Sequence, residues 1–184
     1  RDSGTEVAFV DAMFAQHLAS AFAEGESPLR HIVLIGDGDV PHDIKYEDLL
    51  AAGSTDVPEE PEEDDPVVLM YTGGTTGMPK GVLLDQRAEM LNLYHVAAVQ
   101  SFDTSQVYLH QTPLFHAASM AGVLGIASSG ATNVTIPLFD PAGVLNLIEE
   151  HGVTQTVMVP TMIAMLLNHP EFRPERLASL RLLT

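Results

Sequence analysis

Residues 71–81 read Tyr71-Thr72-Gly73-Gly74-Thr75-Thr76-Gly77-Met78-Pro79-Lys80-Gly81, between the apolar runs Val67-Val68-Leu69-Met70 and Val82-Leu83-Leu84. The flanks predict a strand, a loop and a returning strand. Four glycines in these eleven residues allow positive φ and let backbone N–H groups come close to a bound group where side chains would intervene. Successive N–H groups of that kind make anion-holding concavities, the hydroxyls of Thr72, Thr75 and Thr76 add donors, and Lys80 supplies the one fixed positive charge of the segment. Thr72, Gly73, Gly74, Thr75, Thr76, Gly77 and Lys80 therefore suit a polyphosphate; a glycine-rich hairpin without a ligand is the other reading of the same composition. A Walker-type loop is excluded. It needs Lys directly after Gly and then Ser or Thr opening a helix, whereas Pro79 precedes Lys80 and Gly81 with a β-favouring run follows it.

Working outward, strand and helix signals alternate with short connections. Downstream, residues 87–102 carry apolar side chains at helical spacing, 106–111 read as a strand, 117–127 as a helix of small residues, 132–137 as a strand and 141–151 as a helix. Asp140 is placed to cap that last helix, with Pro141 at its first position. Residues 154–159 form a β-branched strand, 160–168 a helix starting at its proline, and 177–184 a turn and the start of another strand. Upstream, 5–24 read as an amphipathic helix, 30–35 as a buried strand and 46–52 as a short helix, one αβα unit. The fold class expected is α/β, a parallel sheet covered by helices on both faces. Residues 54–66, with three prolines and Glu59, Glu60, Glu62, Glu63, Asp64 and Asp65, read as a linker or mobile surface loop. The expected division is 1–53, 54–66 and 67–184.

Composition narrows the function. At 184 residues and 46% hydrophobic content the chain has enough for a sizeable core. A net charge of −17 argues against nucleic-acid partners and anionic lipid, both of which need basic patches. No cysteine is present, which removes disulfides, thiolate metal sites and a cysteine nucleophile, and fits a reducing, cytoplasmic location. No apolar run approaches the ~18 residues of a membrane span. The chain starts Arg1-Asp2-Ser3-Gly4 with no signal pattern and stops at Leu182-Leu183-Thr184 inside a predicted strand, so a piece of a longer protein is expected.

A second candidate site is Thr112-Pro113-Leu114-Phe115-His116, at the C-terminal end of a predicted strand. Open parallel sheets bind ligands there. A lone His in an apolar setting is otherwise a buried, hydrogen-bonded residue. His110 and His116 lie six apart, but Pro113 interrupts the strand between them and no third ligand is near. The serines at 119, 128 and 129 lack the Gly-x-Ser-x-Gly elbow of a hydrolase.

Residues 71–81 resemble the signature loop of the adenylate-forming superfamily (acyl-CoA synthetases, coumarate-CoA ligases, luciferases and peptide-synthetase adenylation domains), Tyr-Thr-Ser-Gly-Thr-Thr-Gly-x-Pro-Lys-Gly. Ten of the eleven positions agree; Gly73 stands where the family usually carries Ser. Pro113-Leu114-Phe115-His116 resembles that family's Pro-x-Phe/Tyr-His motif, and Phe139-Asp140-Pro141 with residues 147–154 and Val159-Pro160-Thr161-Met162 are softer matches. The resemblance runs clearly from about residue 66 to 184. It implies part of the N-terminal domain of an acyl-CoA synthetase of the fatty-acid-CoA ligase type, which uses ATP and Mg²⁺ to turn a carboxylic acid into an acyl-adenylate and then makes a thioester with coenzyme A. Lys80 and His116 would be catalytic, Thr72 to Gly77 with Lys80 would hold phosphates, and Phe115 and His116 would address the small-molecule acid. The alternatives are an adenylation domain that loads a carrier protein and a non-catalytic nucleotide-binding or assembly module. The family's adenine, ribose and second-lysine motifs are not among these residues, so this chain alone is expected to be inactive.

Overall fold

The sequence 107–183 alternates short apolar strands with helices, and in the computed structural model it forms a four-stranded parallel sheet. The structure describes residues 3–15, 17–18, 28–73 and 77–184. They divide into two compact units, Arg1–Glu60 and Pro61–Thr184.

In the first unit β1 (Val7–Asp11), β2 (His31–Ile35) and β3 (Ile44–Lys45) form a parallel sheet in that order, followed by α1 (Tyr46–Ala52). The helix expected over 5–24 is corrected here. Residues 7–11 are a strand whose exposure alternates residue by residue, and only after the Asp11 carboxylate accepts the Met13 N–H does the chain coil, with Ala15, His17 and Leu18 helical. Val7-Ala8-Phe9-Val10 is rich in β-formers, and pairing with β2 outweighs the helical spacing of the Met and Phe residues that follow. The rest of that predicted helix lies outside the described residues.

The second unit begins with an antiparallel hairpin, β4 (Pro66–Thr72) against β5 (Lys80–Asp85), in the register Thr72↔Lys80 and Tyr71↔Gly81. The helix α2 (Gln86–Gln100) follows at once. Its first N–H groups are all taken: Gln86 donates to the Asp65 carbonyl at 3.0 Å, Arg87 to the Glu63 carbonyl at 2.9 Å and Ala88 to the Asp85 carboxylate at 2.7 Å. The acidic segment thus ends as a cap on α2, with a salt bridge from Arg87 to Glu63, and residues 61–65 are fixed against the helix start.

Four more strands, β6 (Val107–His110), β7 (Thr132–Thr135), β8 (Gln155–Thr156) and β9 (Leu182–Leu183), pair in parallel in the order β7-β6-β8-β9. The helices α3 (Ala117–Ser129), α4 (Pro141–His151) and α5 (Pro160–Leu167) connect them. Alternation along β6 assigns the faces. Leu109 joins Val144, Leu145 and Ile148 of α4 and Leu166 of α5 in the core, where full burial of each aliphatic contributes about 1.5–3 kcal/mol. Tyr108 points the other way into α3, where a Cβ on Gly122 would lie 2.9 Å from its hydroxyl, while a Cβ on Gly125 would overlap the Phe102 ring. Helices therefore cover both faces. The Asp140 carboxylate accepts the Gly143 N–H at 2.7 Å and Pro141 opens α4, as expected. Among the described residues no helix is long and apolar enough to cross a membrane.

This wiring has one consequence for the site. At their C-terminal ends the neighbouring strands β6 and β8 send the chain to opposite faces, β6 into α3 and β8 into α5. Such a switch point is where open α/β sheets leave a crevice for ligands.

Candidate functional site

Two segments carry the candidate residues; one cavity lies between the strand that leads into the first and the turn that forms the second, and of the predicted site residues Phe115 lines it while Thr72, Gly73, Gly77, Lys80 and His116 do not. The first is the hairpin tip. Strand pairing from Pro66 to Thr72 and back from Lys80 leaves residues 73–79 as the connection. Thr72 and Lys80 face each other across its base, with the Thr72 hydroxyl 3.4 Å from the Lys80 carbonyl. Thr72, Gly73, Gly77 and Lys80 are exposed, and among the described residues no carboxylate pairs with the Lys80 ammonium. Gly74, Thr75 and Thr76 lie outside the described residues. The glycines do not act as their number predicts: Gly73, Gly77 and Gly81 all avoid the left-handed region. Gly81 sits in the extended strand, where a Cβ would meet Leu69 at 3.0 Å and the Tyr71 ring at 3.5 Å, while Gly73 and Gly77 have nothing within 4 Å of an added Cβ. Close packing explains Gly81, and an open approach to the backbone is what Gly73 and Gly77 provide.

The second segment leaves β6. Residues 113–116 make a turn, with the His116 N–H donating to the Pro113 carbonyl at 3.0 Å, and His116 then caps α3 through its own carbonyl, which accepts from Ser119 and Met120 at 3.0 Å each. Its imidazole makes no capping bond. It lies beside the Phe115 ring with centroids 5.3 Å apart, and Phe115 itself is 77% exposed. Thr112 and Ser119 share a hydroxyl–hydroxyl bond of 2.6 Å that ties the start of the turn to the first turn of α3.

Phe115 and Leu114, with Met120, line a cavity of about 320 Å³ whose other wall is Val68, Leu69, Met70 and Tyr71 of β4. The two segments thus converge, 44 positions apart from Tyr71 to Phe115, on one apolar space of a size that suits a small ligand.

His110 takes the other reading available to a histidine. It is buried, its Nε2 meets the Asn133 side-chain oxygen at 2.6 Å, and it stacks on Tyr108 at 4.6 Å. Burial pulls its pKa below the ordinary value, partly offset by the bond to Asn133. Burial likewise pushes the Tyr108 phenol up to about 12. Both shifts favour the neutral form inside the sheet. Among the described residues no three His, Asp or Glu side chains are placed to hold a metal ion.

One residue escaped the sequence reading. Gln111 is buried between β6 and the turn and donates to the Thr156 hydroxyl at 3.0 Å and the Val157 carbonyl at 3.1 Å. The available signal was a pair of polar residues just after an apolar strand, Gln111-Thr112, and a second polar pair, Gln155-Thr156, ahead of the apolar Val157-Met158-Val159.

A family model described as AMP-binding enzyme matches residues 1–184. The chain is 33% identical over 187 residues to the indoleacetate–CoA ligase of Aromatoleum aromaticum, covering 100% of this chain and 36% of that protein. It is 30% identical over 186 residues to 4-coumarate–CoA ligase 3 of Oryza sativa subsp. japonica, covering 98% of this chain and 33% of that protein. Among solved structures, a Rhodopseudomonas palustris CGA009 protein provisionally described as a long-chain-fatty-acid CoA ligase superposes with a TM-score of 0.85 at 26% identity, over 99% of this chain and 44% of that one. The chain spans about a third of the length of the curated relatives it matches.

Proposed function

Because the chain belongs to the AMP-binding enzyme family, we propose that the protein carrying it activates a carboxylic acid with ATP and Mg²⁺ and passes the acyl group to coenzyme A. The observation that carries this reading is the shared cavity: Tyr71 of the glycine-rich hairpin and Phe115 of the Pro-Leu-Phe-His turn line the same space. A phosphate-holding loop and an apolar acid pocket are the two things an acid-activating site must put side by side.

In the first step a carboxylate oxygen forms a bond to the α-phosphorus of ATP, the bond from that phosphorus to the bridging oxygen breaks, and pyrophosphate leaves with the electron pair. In the second the coenzyme A sulfur bonds to the acyl carbon, AMP leaves, and the thiol proton passes to solvent. The protein's part in the first step is positioning and charge stabilisation. Thr72, Gly73, Gly74, Thr75, Thr76 and Gly77 offer hydroxyl and backbone donors to the phosphates, and the exposed Lys80 ammonium supplies charge as it builds on the leaving pyrophosphate. His116, unengaged by its helix, contacts the acid's carboxylate and favours its anionic form, while Phe115 shapes the wall against the acyl body. Residues 67–184 carry these phosphate and acyl functions on this reading, and residues 1–53 and 54–66 do not.

The finer reading is a fatty acid. The apolar lining by Val68, Met70, Leu114, Phe115 and Met120 supports an acid with an apolar body, and relatives named for indoleacetate and 4-coumarate make aromatic acids the first competitors. A cytoplasmic setting, reducing enough for a free coenzyme thiol, accords with a chain without cysteine.

The test is ATP–pyrophosphate exchange by the full-length protein, with short, medium and long aliphatic acids and aromatic acids in parallel. Exchange that depends on an acid and collapses in Lys80→Ala is expected. ATP binding without exchange for any acid would replace this reading with a non-catalytic nucleotide-binding module.

A further inference from the structure

The Gln111 amide is fixed in direction by what its partners can do. The Val157 carbonyl only accepts, so the amide nitrogen and not its oxygen faces it at 3.1 Å. The second N–H goes to the Thr156 hydroxyl at 3.0 Å, and that hydroxyl spends its own hydrogen on the Leu109 carbonyl at 2.8 Å. Gln111 is 4% exposed, and among the described residues its oxygen has no partner. The result is a directed chain that starts just after β6, crosses to the end of β8 and returns to β6.

Its location is what gives it meaning. β6 and β8 are the neighbours whose exits diverge to opposite faces, so nothing in the backbone pairing holds the two exits together beyond Leu109↔Thr156. Gln111 supplies that tie, at the stem of the turn that presents Phe115 and His116. On the far side it grips Val157, three residues before Pro160 opens α5. The hydroxyl pair of Thr112 and Ser119 continues the same fastening into α3.

We propose that Gln111 is a positioning residue for the acid: by tying the stem of the 112–116 turn to Val157, it sets where Phe115 and His116 stand relative to the entry of α5, and leaves the phosphate-holding hairpin untouched. The proposal rests on the acid-activation reading above. Buried hydrogen bonds of this kind cost more when one side is left unmet than they contribute when made, so the discriminating change keeps the shape and removes the donors.

Gln111→Met in the full-length protein does that. Two readouts are taken, with circular dichroism and thermal melting to establish that the variant is folded. The first is amide hydrogen exchange, in which the His116, Ser119 and Met120 amides are expected to exchange about tenfold faster while those of α4 keep their protection. The second is pyrophosphate exchange, in which KM for the acid rises about tenfold and KM for ATP stays within about twofold of wild type. Unchanged protection at 116–120 overturns the proposal, as does a parallel rise in both KM values, which would mark general damage. If the variant does not fold, Gln111→Leu with Thr112→Val as a companion takes its place and is read by the same two criteria. Should the wild-type protein show no acid-dependent exchange at all, the acid-activation reading falls by itself, and the amide protection still decides whether Gln111 anchors the turn.

Discussion

The hairpin tip and the exit of β6 were both marked by motif residues, yet they are built in opposite ways. At the tip, Thr72, Gly73, Gly77 and Lys80 are exposed, and among these described residues the side-chain contact is one 3.4 Å bond across the base. At the β6 exit, Gln111 and Ser119 are buried and bonded, and the turn between them, Phe115 and His116 included, is exposed. A site for polyphosphate can leave its donors facing open space because the ligand brings the partner charges. A site for an acid with an apolar body needs its wall shaped beforehand. The contrast teaches that changes at the tip should alter activity and leave stability alone, and changes under the β6 exit should do both.

The largest effect expected is on the tip side. Lys80→Ala should lower acid-dependent pyrophosphate exchange by about a hundredfold or more, the size seen when one preorganised charge-stabilising donor is removed, with an unchanged urea midpoint. A matching loss of stability would break the contrast. Next comes the packed side. Gly125→Val places a side chain into the Phe102 ring and should destabilise by about 2–3 kcal/mol, read from urea unfolding. Smaller again, and in the opposite sense, is Gly73→Ser. With nothing within 4 Å of an added Cβ and no left-handed φ to strain, the hydroxyl should be accommodated and tighten ATP binding by about tenfold, the gain of one hydrogen bond to a charged group. Titration calorimetry on both forms would register it, and weaker binding would show that the tip is not open in the way described.

The smallest is a pH effect beneath the β6 exit. Burial holds the His110 pKa below the ordinary 6.5, so the unfolded chain takes up a proton first as pH falls. Stability is therefore lost from about pH 6.5 downward and is fully present above it. His110→Phe should flatten the part of the stability–pH curve that His110 causes, measured as urea midpoints at pH 8 and pH 5. An unaltered slope would place His110 outside the titrating set.

Much of the fold could be read directly because the signals were local. Asp140 with Pro141 carries its own instruction, and α4 begins and ends where the spacing says; the β-branched run at 154–159 marks a strand, but only Gln155–Thr156 pairs as one. Residues 7–11 failed because strand and helix spacing overlap there and the deciding partner, β2, lies more than twenty positions on. The acidic segment 54–66 shows a related limit: its composition describes a solvated loop, and the bonds of Asp65 and Glu63 to Gln86 and Arg87 depend on a helix start that composition does not mention. Of the candidate site, Lys80, Phe115 and His116 stood out by pattern. Gln111 did not, because a buried amide has value only through the carbonyl and hydroxyl it meets across a 45- or 46-residue separation.

That separation also orders events during synthesis. The hairpin and α2 close on contacts between near neighbours, and both can assemble as soon as they emerge. β6 cannot find β8 until residues 155 and 156 have been made, and contacts of such long range are slow to form. A growing chain therefore completes this hairpin early, but once Gln111 has been made a further 46 residues must follow before its amide meets the Val157 carbonyl, and over nearly all of that span β6 lacks its β8 neighbour. That interval is when the nascent protein is most exposed to misassociation, and it ends only when Val157 arrives.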